Sequence, residues 1–286
     1  MTHLIESASA EIHWYEGMLM QPHHFQTQQR RQSMLGREKR MYLETCEWGI
    51  ADLQVNLTSL AGFRFKVDSA VLCLKDGTWL NIPNNAAVEE CSLEEITGQL
   101  DAAVPVWFAV KRPEAHRPLV HPMEETNRSI PRPYVLREHV IVDENSGENG
   151  QIIQSRLHNV QISFGPHPGD QFEAIKIGEL VWSSAKQPVF NAAYIPPLLN
   201  LAASPYLRDR VKNLLVKIRN QAAFLQGEMV SKRISLTTDP LRVLANLTRL
   251  QIMASYALVL QQMLNINQTH PFALYLELVR LLGELI

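Results

Sequence analysis

Cysteine is scarce in this sequence, and so are the patterns of a metal-bound or disulfide-bonded scaffold. The 286 residues contain three cysteines. These are Cys46, Cys73 and Cys91, which lie far apart with no CxxC spacing. A disulfide framework needs cysteines in pairs, and a zinc site needs ligands at short, defined spacings. Neither kind of stabilisation is therefore predicted.

The sequence also lacks a signal peptide and a long hydrophobic run. Its N-terminus, MTHLIESASAEIHWYEG, has no basic start followed by an apolar stretch, which a secretory signal requires. The longest apolar run is IMASYALVL, whereas a membrane-spanning helix needs about 20 predominantly apolar residues. We therefore expect a cytoplasmic protein that does not insert into a membrane.

No excess of one charge marks the chain as a whole. The formal net charge is −2, which gives no global attraction to nucleic acid or to an anionic membrane. A local basic cluster does occur in RRQSMLGREKR, residues 30–40. Such a run is typical of a solvated helix face, and no aromatic platform for stacking bases accompanies it. We predict no nucleic-acid partner.

Catalytic motifs are missing as well. The sequence contains no GxSxG, P-loop or GxGxxG pattern. His23 and His24 are adjacent, so on a helix their side chains point about 100° apart and do not share a metal as an i, i+4 pair does. His121, Glu124 and Glu125 lie in a proline-rich stretch that favours an irregular loop. We therefore predict no catalytic residue, no cofactor and no metal ion.

What the sequence does contain is an alternating pattern from about Leu53 to Trp182. Eight short apolar runs with period two are separated by turn signals, among them Asp76-Gly77 between two strand-like segments. This pattern predicts an antiparallel β-sandwich. A helix is expected ahead of the strands, beginning near Pro22, because proline suits the first helical position. Residues 1–185 are thus assigned to a helical segment plus a sandwich.

Residues 186–286 change to a helical period. Three segments open with helix-start signals, at Ser204-Pro205, Asp239-Pro240 and Thr269 to Pro271. They predict an α-helical bundle, so the predicted fold class is α+β. The last helix stops on Leu285 and Ile286 with no capping residue, and we expect that the natural protein continues beyond it.

Five stretches, spread in order over nearly the whole chain, carry a family resemblance. They are IHWYEGMLMQPHHFQ, WGIADLQVN, DGTWLNIP, AAYIPPLLNLAASPYL and HPFALYLELVRLLGEL. The first contains the order W-x-E-G-M-x-x-x-P-x-H-F-Q, which is long enough to be rare by chance. Together they resemble the TssK family, the baseplate subunit of the bacterial type VI secretion system.

The resemblance implies a homotrimer built from a β-rich shoulder, a helical neck and a C-terminal head. In that family the shoulder joins the trimer to the wedge proteins TssF and TssG. The head contacts the TssJ–TssL–TssM membrane complex from its cytoplasmic side. On this interpretation residues 1–185 are the shoulder and residues 186–286 the neck, with the head missing. The function implied is that of a structural adaptor, which reaches the membrane complex only through the head.

Two other classes of protein remain open from the sequence. One is a phage-like baseplate or receptor-binding protein, which would share the shoulder but present a receptor-binding tip. The other is a hydrolase with a dispersed site, for which His121 or His139 would need a carboxylate partner in a deep polar pocket.

The segment WYEGMLMQPHHFQ, residues 14–26, holds the candidate partner interface. Glu16 and Gly17 are expected to set a turn. Four large apolar side chains flank it: Trp14, Met18, Met20 and Phe25. They could pin the segment onto the sandwich or neck, or form an interface with the wedge proteins, since aromatic and methionine side chains are favoured anchors.

The first bundle helix carries two apolar seams, and one of them is the candidate trimer interface. Leu215, Ala222 and Met229 recur every seven residues beside the main seam, and three copies about one axis could bury them. A trimer seam that uses Ile218 and Leu225 instead is equally compatible with the sequence.

Overall fold

The computed structural model describes residues 10–43, 45–99, 102–123, 130–231, 239–266 and 268–285. The chain divides into two compact units, residues 1–197 and 198–286. The sequence placed the boundary twelve residues earlier, after residue 185. The difference arises because strand Pro188–Phe190 still pairs with the large sheet, and because Pro197 accepts a 2.8 Å hydrogen bond from the amide of Ile50.

The first unit begins with helix α1 (Pro22–Leu43), which starts at the proline expected from the sequence. The amide of Gln21 donates to Nδ1 of His24 at 3.1 Å, so this histidine caps the helix start. A second, short helix, α2 (Leu57–Ala61), is capped by Asn56, whose side chain accepts from the amide of Ser59.

The described strands of the first unit form three sheets. They are β1 (Gly49–Val55), β2 (Arg64–Phe65), β3 (Val67–Cys73), β4 (Trp79–Ile82), β5 (Ala86–Val88), β6 (Cys91–Ser92), β7 (Val104–Lys111), β8 (Val120–His121), β9 (Tyr134–Ile141), β10 (Gln151–Phe164), β11 (Phe172–Trp182) and β12 (Pro188–Phe190). The orders are β1-β3-β4, β2-β6, and β12-β11-β7-β10-β9-β8 with β5 also on β10. Most pairs are antiparallel, as expected, but β5–β10 and β8–β9 are parallel. That the sheets form a sandwich stays a prediction.

The large sheet is built around β7, which pairs with β10 on one side and β11 on the other. Phe108 of this strand is completely buried, as is Ile175 opposite it on β11. A bulge in β11 places Gly178 directly beneath the ring of Phe190, where a Cβ atom would collide with it. Glycine is therefore required there by close packing rather than by a turn.

The turn between β3 and β4 is the hairpin predicted at Asp76-Gly77. Gly77 adopts φ +78°, and its amide donates to the carbonyl of Leu74 at 2.9 Å. The side chain of Asp76 accepts from the amide of Thr78 at 2.8 Å. These contacts close a rigid turn at the edge of the three-stranded sheet.

The second unit is a set of three helices: α3 (Pro205–Ser231), α4 (Pro240–Asn265) and α5 (Pro271–Leu285). Ser204 and Asp239 cap the first two by accepting from amides three residues on, at 3.3 and 3.2 Å. The core of this unit contains Leu201, Val211, Leu215, Ile218, Tyr256, Ala257, Leu260, Leu264, Leu274 and Leu281.

Helix α4 has a property that the search for uninterrupted apolar runs missed. By length and composition alone, its 26 residues are long and apolar enough to cross a membrane. Within the unit, however, α4 buries Tyr256, Leu260 and Leu264 among the core residues of its neighbours. Part of the apolar surface of α4 is thus covered in the core of the unit, and part of it stays exposed.

The core also changes the assignment of the candidate trimer seam. Leu215, Ile218 and Leu225 are buried within one copy of the chain, so their side chains are not available to a second copy. The period of 3.6 marked them correctly as buried, but it does not say which helix covers them. Ala222 and Met229 are half-buried and stay candidates for contact between copies.

Candidate partner interface

The N-terminal segment before α1, residues 10–21, has no regular secondary structure but a defined turn. Gly17 has φ +80°, and the amide of Met18 donates to the carbonyl of Tyr15 at 3.3 Å. The turn expected at Glu16 and Gly17 is therefore present. It brings Trp14 back towards the start of α1, where its ring centroid lies 5.8 Å from that of His24.

The turn leaves the large apolar side chains of this segment largely in solvent. Trp14 is 48% exposed, and Met20 and Phe25 are exposed as well, while Met18 is half-buried. Tyr15 and Leu19, which the sequence analysis did not select, are also exposed. Trp14, Met20 and Phe25 therefore leave a large part of their surface in solvent, as residues of interaction sites commonly do.

Helix α1 is held on its unit by polar contacts, which reverses the usual orientation of an amphipathic helix. None of its residues is buried. Arg37 Nη2 donates to Thr78 Oγ1 at 2.9 Å, and Nη1 of the same residue lies 3.5 Å from Asp76 Oδ2. Arg40 Nη2 donates to the carbonyl of Gly77 at 2.6 Å. We call these contacts the polar clamp. The basic cluster of residues 30–40 thus serves, in part, to dock α1 on the β3–β4 turn.

Two more contacts support the clamp. Arg156 on β10 donates to Gln29 at 3.2 Å, and Arg31 forms an ion pair with Glu11 of the N-terminal segment. The segment and helix α1 are therefore joined to each other, to the three-stranded sheet and to the large sheet by arginine side chains. The planar guanidinium group suits this role because it donates in several directions at once.

The opposite side of α1 exposes large apolar side chains among polar ones. At 100° per residue, Gln28, Gln32 and Lys39 share that side with four exposed apolar residues. We call the following residues the outer stripe: Phe25, Leu35, Lys39, Tyr42 and Leu43. A sequence-based analysis assigns such apolar residues to the core. Only the contacts of Arg37 and Arg40 reveal that the stripe faces outward.

Strand β10 carries a histidine, His158, whose pKa is shifted by its surroundings. Burial, reinforced by the nearby positive charges of Arg37 and Arg156, lowers the pKa of His158 from 6.5 to about 4, while Asp76 acts in the opposite direction. Its ring centroid lies 5.1 Å from that of Tyr134, and the two ring planes are tilted by 43°. His158 is therefore neutral at physiological pH, and protonating it would add a positive charge beside two arginines.

The helical unit exposes a second apolar surface. Leu244, Leu247 and Leu258 lie on one side of α4, away from the buried Leu260. We call these three residues the open face. Tyr275, Val279 and Leu282 form a comparable exposed line on α5. So many exposed large side chains on one small unit indicate that another molecule covers them.

One residue that the sequence offered for a hydrolase or metal site makes a structural hydrogen bond in the fold. His121 is buried, and its Nε2 accepts from the amide of Arg132 at 3.1 Å. Glu124 and Glu125 lie outside the described residues. Among the described residues, no group of three His, Cys, Asp or Glu side chains is arranged to hold a metal ion. A shallow groove of about 420 Å³ in the helical unit is lined by Thr248, Gln251, Ile252, Ser255 and Glu284, without a histidine or cysteine.

Comparison with known proteins points to one family. Residues 24–286 match the family described as Bacterial Type VI secretion, with the member names EvfL, ImpJ and VasE. A curated relative is the type VI secretion system baseplate component TssK1 of Pseudomonas aeruginosa, 25% identical over 279 residues. The match covers 95% of this chain and 60% of the relative, so the chain spans about 60% of the relative's length.

Solved structures share the fold. A chain of the TssK-TssF-TssG baseplate subcomplex aligns with a TM-score of 0.81 at 20% identity, over 96% of this chain and 87% of that one. A chain of the type VI secretion baseplate complex gives the same score at 23% identity and the same coverage. A crystal structure of TssK also scores 0.81, at 17% identity, with 96% of this chain and 60% of that chain covered.

The polar clamp can be tested with two glycines that share a backbone conformation. Gly77 and Gly165 have φ +78° and +88°, but a Cβ atom at Gly77 would lie 2.9 Å from Cγ of Arg37, whereas nothing lies within 4 Å at Gly165. Both alanine variants carry left-handed strain of about 1–3 kcal/mol. Only Gly77→Ala also displaces Arg37. We expect faster amide hydrogen exchange across residues 30–43 in Gly77→Ala and wild-type exchange there in Gly165→Ala. Equal protection of α1 in both variants would contradict the clamp.

The buried histidine predicts a pH dependence of stability. Because the pKa of His158 is 6.5 when unfolded and about 4 when folded, the unfolded chain binds the proton first as the pH falls. The free energy of unfolding should therefore decrease between pH 6.5 and about pH 4. In His158→Phe this contribution is absent, while the carboxylates titrate as before. Urea unfolding at about pH 7.5 and about pH 5 should show a smaller loss in the variant. Identical losses would rule out a buried neutral His158.

Proposed function

The chain belongs to the TssK family of bacterial type VI secretion baseplate subunits, and on that premise we propose that it is a structural adaptor in the cytoplasm that works through binding surfaces and without catalysis. The observation that carries the proposal is the pair of exposed apolar surfaces, one in each unit. They are present on a chain whose fold matches subunits of solved baseplate complexes over 96% of its length. A chain that leaves this much apolar surface in water is built for assembly.

The first surface is proposed to bind the wedge proteins. The solved subcomplex contains TssK together with TssF and TssG, and this suggests the same two partners here. We assign the contact to Trp14, Met18, Met20 and Phe25 and add Tyr15 to them. Tryptophan and tyrosine are enriched among residues that dominate binding energy, because they bury a large area with little loss of conformational freedom.

Docking to the TssJ–TssL–TssM membrane complex is assigned to a C-terminal head, as the family resemblance implies. The chain spans about 60% of the length of the curated relative. The adaptor role thus belongs to the whole protein. The two units described above would supply its wedge contact and its self-association.

The second surface is proposed to hold a homotrimer together. Because Leu215, Ile218 and Leu225 are already buried in one copy, we move the proposed seam to the open face of α4 (Leu244, Leu247 and Leu258) and retain Ala222 and Met229 beside it. Leucines that recur on one helix side form the seams of helical oligomers. Burying each such side chain contributes about 1.5–3 kcal/mol, so three seams around one axis supply ample driving force.

The wedge contact is tested by comparing two tryptophans of similar exposure. Trp14 is 48% exposed in the N-terminal segment, and Trp79 is 41% exposed on β4. Truncating an interface tryptophan typically costs 2 kcal/mol or more, about 30-fold in affinity. We expect Trp14→Ala to weaken binding to a purified TssF–TssG complex by that factor with an unchanged melting temperature, and Trp79→Ala to bind normally. A lowered melting temperature in Trp14→Ala would show that Trp14 stabilises the fold instead.

The trimer is tested by measuring mass in solution. Light scattering at micromolar concentration should give three times the 32.5 kDa of one chain. Leu258→Glu places a charge in the proposed seam, where burial is costly, and should yield monomers with wild-type helix content by circular dichroism. Lys217→Glu, on an exposed position of α3, adds negative charge elsewhere and should remain trimeric. A monomeric wild-type protein would overturn the proposal.

A further inference from the structure

The hairpin of β9 and β10 extends beyond the sheet to which it belongs. Strand β10 pairs with β7 from Val160 to Phe164 and with β5 from His158 to Val160. From Gln151 to Arg156 its pairing is with β9 alone. We call the two-stranded part, residues 136–156 with its connecting loop, the arm. Among the described residues, no third strand supports it.

The arm exposes several β-branched apolar side chains, whereas a ribbon in water is expected to expose polar ones. Val140 is 66% exposed and Ile152, its direct partner, is 70% exposed. Ile141, Val142 and Ile153 are exposed too. Isolated two-stranded ribbons are marginally stable in water at best. Exposed β-branched pairs on such a ribbon are therefore expected to pack against another surface.

The tip of the arm is ordered by its own hydrogen bonds. The amide of Asp143 donates to the carbonyl of Glu148 at 2.9 Å. The Asp143 carboxylate accepts from the amides of Asn145 and Ser146 at 2.8 and 3.0 Å. These bonds lower the pKa of Asp143, with the amide of Asn145 contributing most. Gly150 completes the fit, because a Cβ atom there would lie 2.8 Å from Cγ1 of Val140. The tip is thus a fixed feature and not a loose loop.

The charge of the tip indicates what it meets. Residues 143–150 carry three carboxylates, Asp143, Glu144 and Glu148, and no basic residue. The surface that fits the arm is therefore apolar with a positive charge. This chain has such a surface in the C-terminal half of the outer stripe, where Leu35, Tyr42 and Leu43 flank the exposed Lys39. The acidic Glu38 points about 100° away from Lys39 around the helix.

Both surfaces stay exposed in a single copy, so a contact between them would join two copies. A threefold arrangement requires heterologous contacts, in which one patch of a copy meets a different patch of its neighbour. We propose that the arm of one copy packs along the C-terminal half of the outer stripe of the next copy, with the acidic tip beside Lys39. This inference rests on the proposed homotrimer and adds an intersubunit contact in the first unit to the seam in the second.

Disulfide cross-linking between differently tagged copies tests the contact. In a Cys46→Ser background, one copy carries Ile152→Cys and the other carries Tyr42→Cys, and the two are co-expressed. If the arm packs on the outer stripe, the two thiols lie side by side, so the mixed disulfide should exceed that of a control pair outside the contact by about tenfold or more. The control pair replaces Tyr42→Cys with Leu57→Cys, at another exposed leucine of the same unit.

Charge reversal then tests the orientation of the arm. Lys39→Glu should lower the cross-linking yield several-fold, and Glu144→Lys together with Glu148→Lys should restore it. Light scattering of each sample separates the two hypotheses. A trimer without the mixed disulfide overturns the arm contact and leaves the trimer standing, with the arm assigned to a different partner. A monomer overturns both.

Discussion

The contacts of two arginines with the β3–β4 turn determine which side of helix α1 faces the solvent. Arg37 and Arg40 contact Thr78, Asp76 and the carbonyl of Gly77. The polar side of α1 therefore faces the β3–β4 turn. Because a helix has only two sides, docking by the polar one leaves Phe25, Leu35 and Tyr42 in solvent. A helix held by an apolar stripe would have hidden the same residues. The outward apolar stripe is thus a consequence of the clamp.

The second unit reaches a similar result by a different route. Its helices bury one side of α4 through Leu260 and Leu264 and leave Leu244, Leu247 and Leu258 uncovered. In this unit α4 has two neighbouring helices, α3 and α5. Two helices cannot enclose a helix that is apolar on most of its circumference, so part of α4 faces outward. In both units the exposed surface follows from how the chain packs on itself. Exposed apolar surfaces of this kind are typical of interaction sites.

The sequence predicted the elements well but not which side of each element is covered. Pro22, Asp76-Gly77 and the three proline-led helix starts act within a few residues, and the structure has each of them where expected. The TssK family assignment is likewise confirmed. The sequence alone could carry it because the family motifs are short stretches of consecutive residues. The outer stripe was missed because periodicity identifies an apolar side without naming what lies against it. Leu215 and Ile218 show the same ambiguity, since a core seam and a trimer seam have one pattern. The projection of the arm depends on where β7 and β5 stop pairing, which no residue of β9 or β10 encodes.

Polar contacts such as the clamp and buried apolar side chains contribute different amounts of stability, and this difference bears on function. A hydrogen bond contributes about 0.5–1.5 kcal/mol net, somewhat more when a charged group is involved, so the clamp is worth a few kcal/mol. Removing one buried leucine such as Leu72 or Leu260 typically costs about 2–5 kcal/mol by itself. Helix α1 has no buried residue and is held by such polar contacts, so we expect it to separate from the turn while the sheets remain folded. Since the outer stripe and the N-terminal segment both depend on α1, its release would remove the proposed partner surface without unfolding the sheets. A partner that spans α1 and the sheet beneath it would, in turn, hold the helix in place, so binding and docking of α1 stabilise each other.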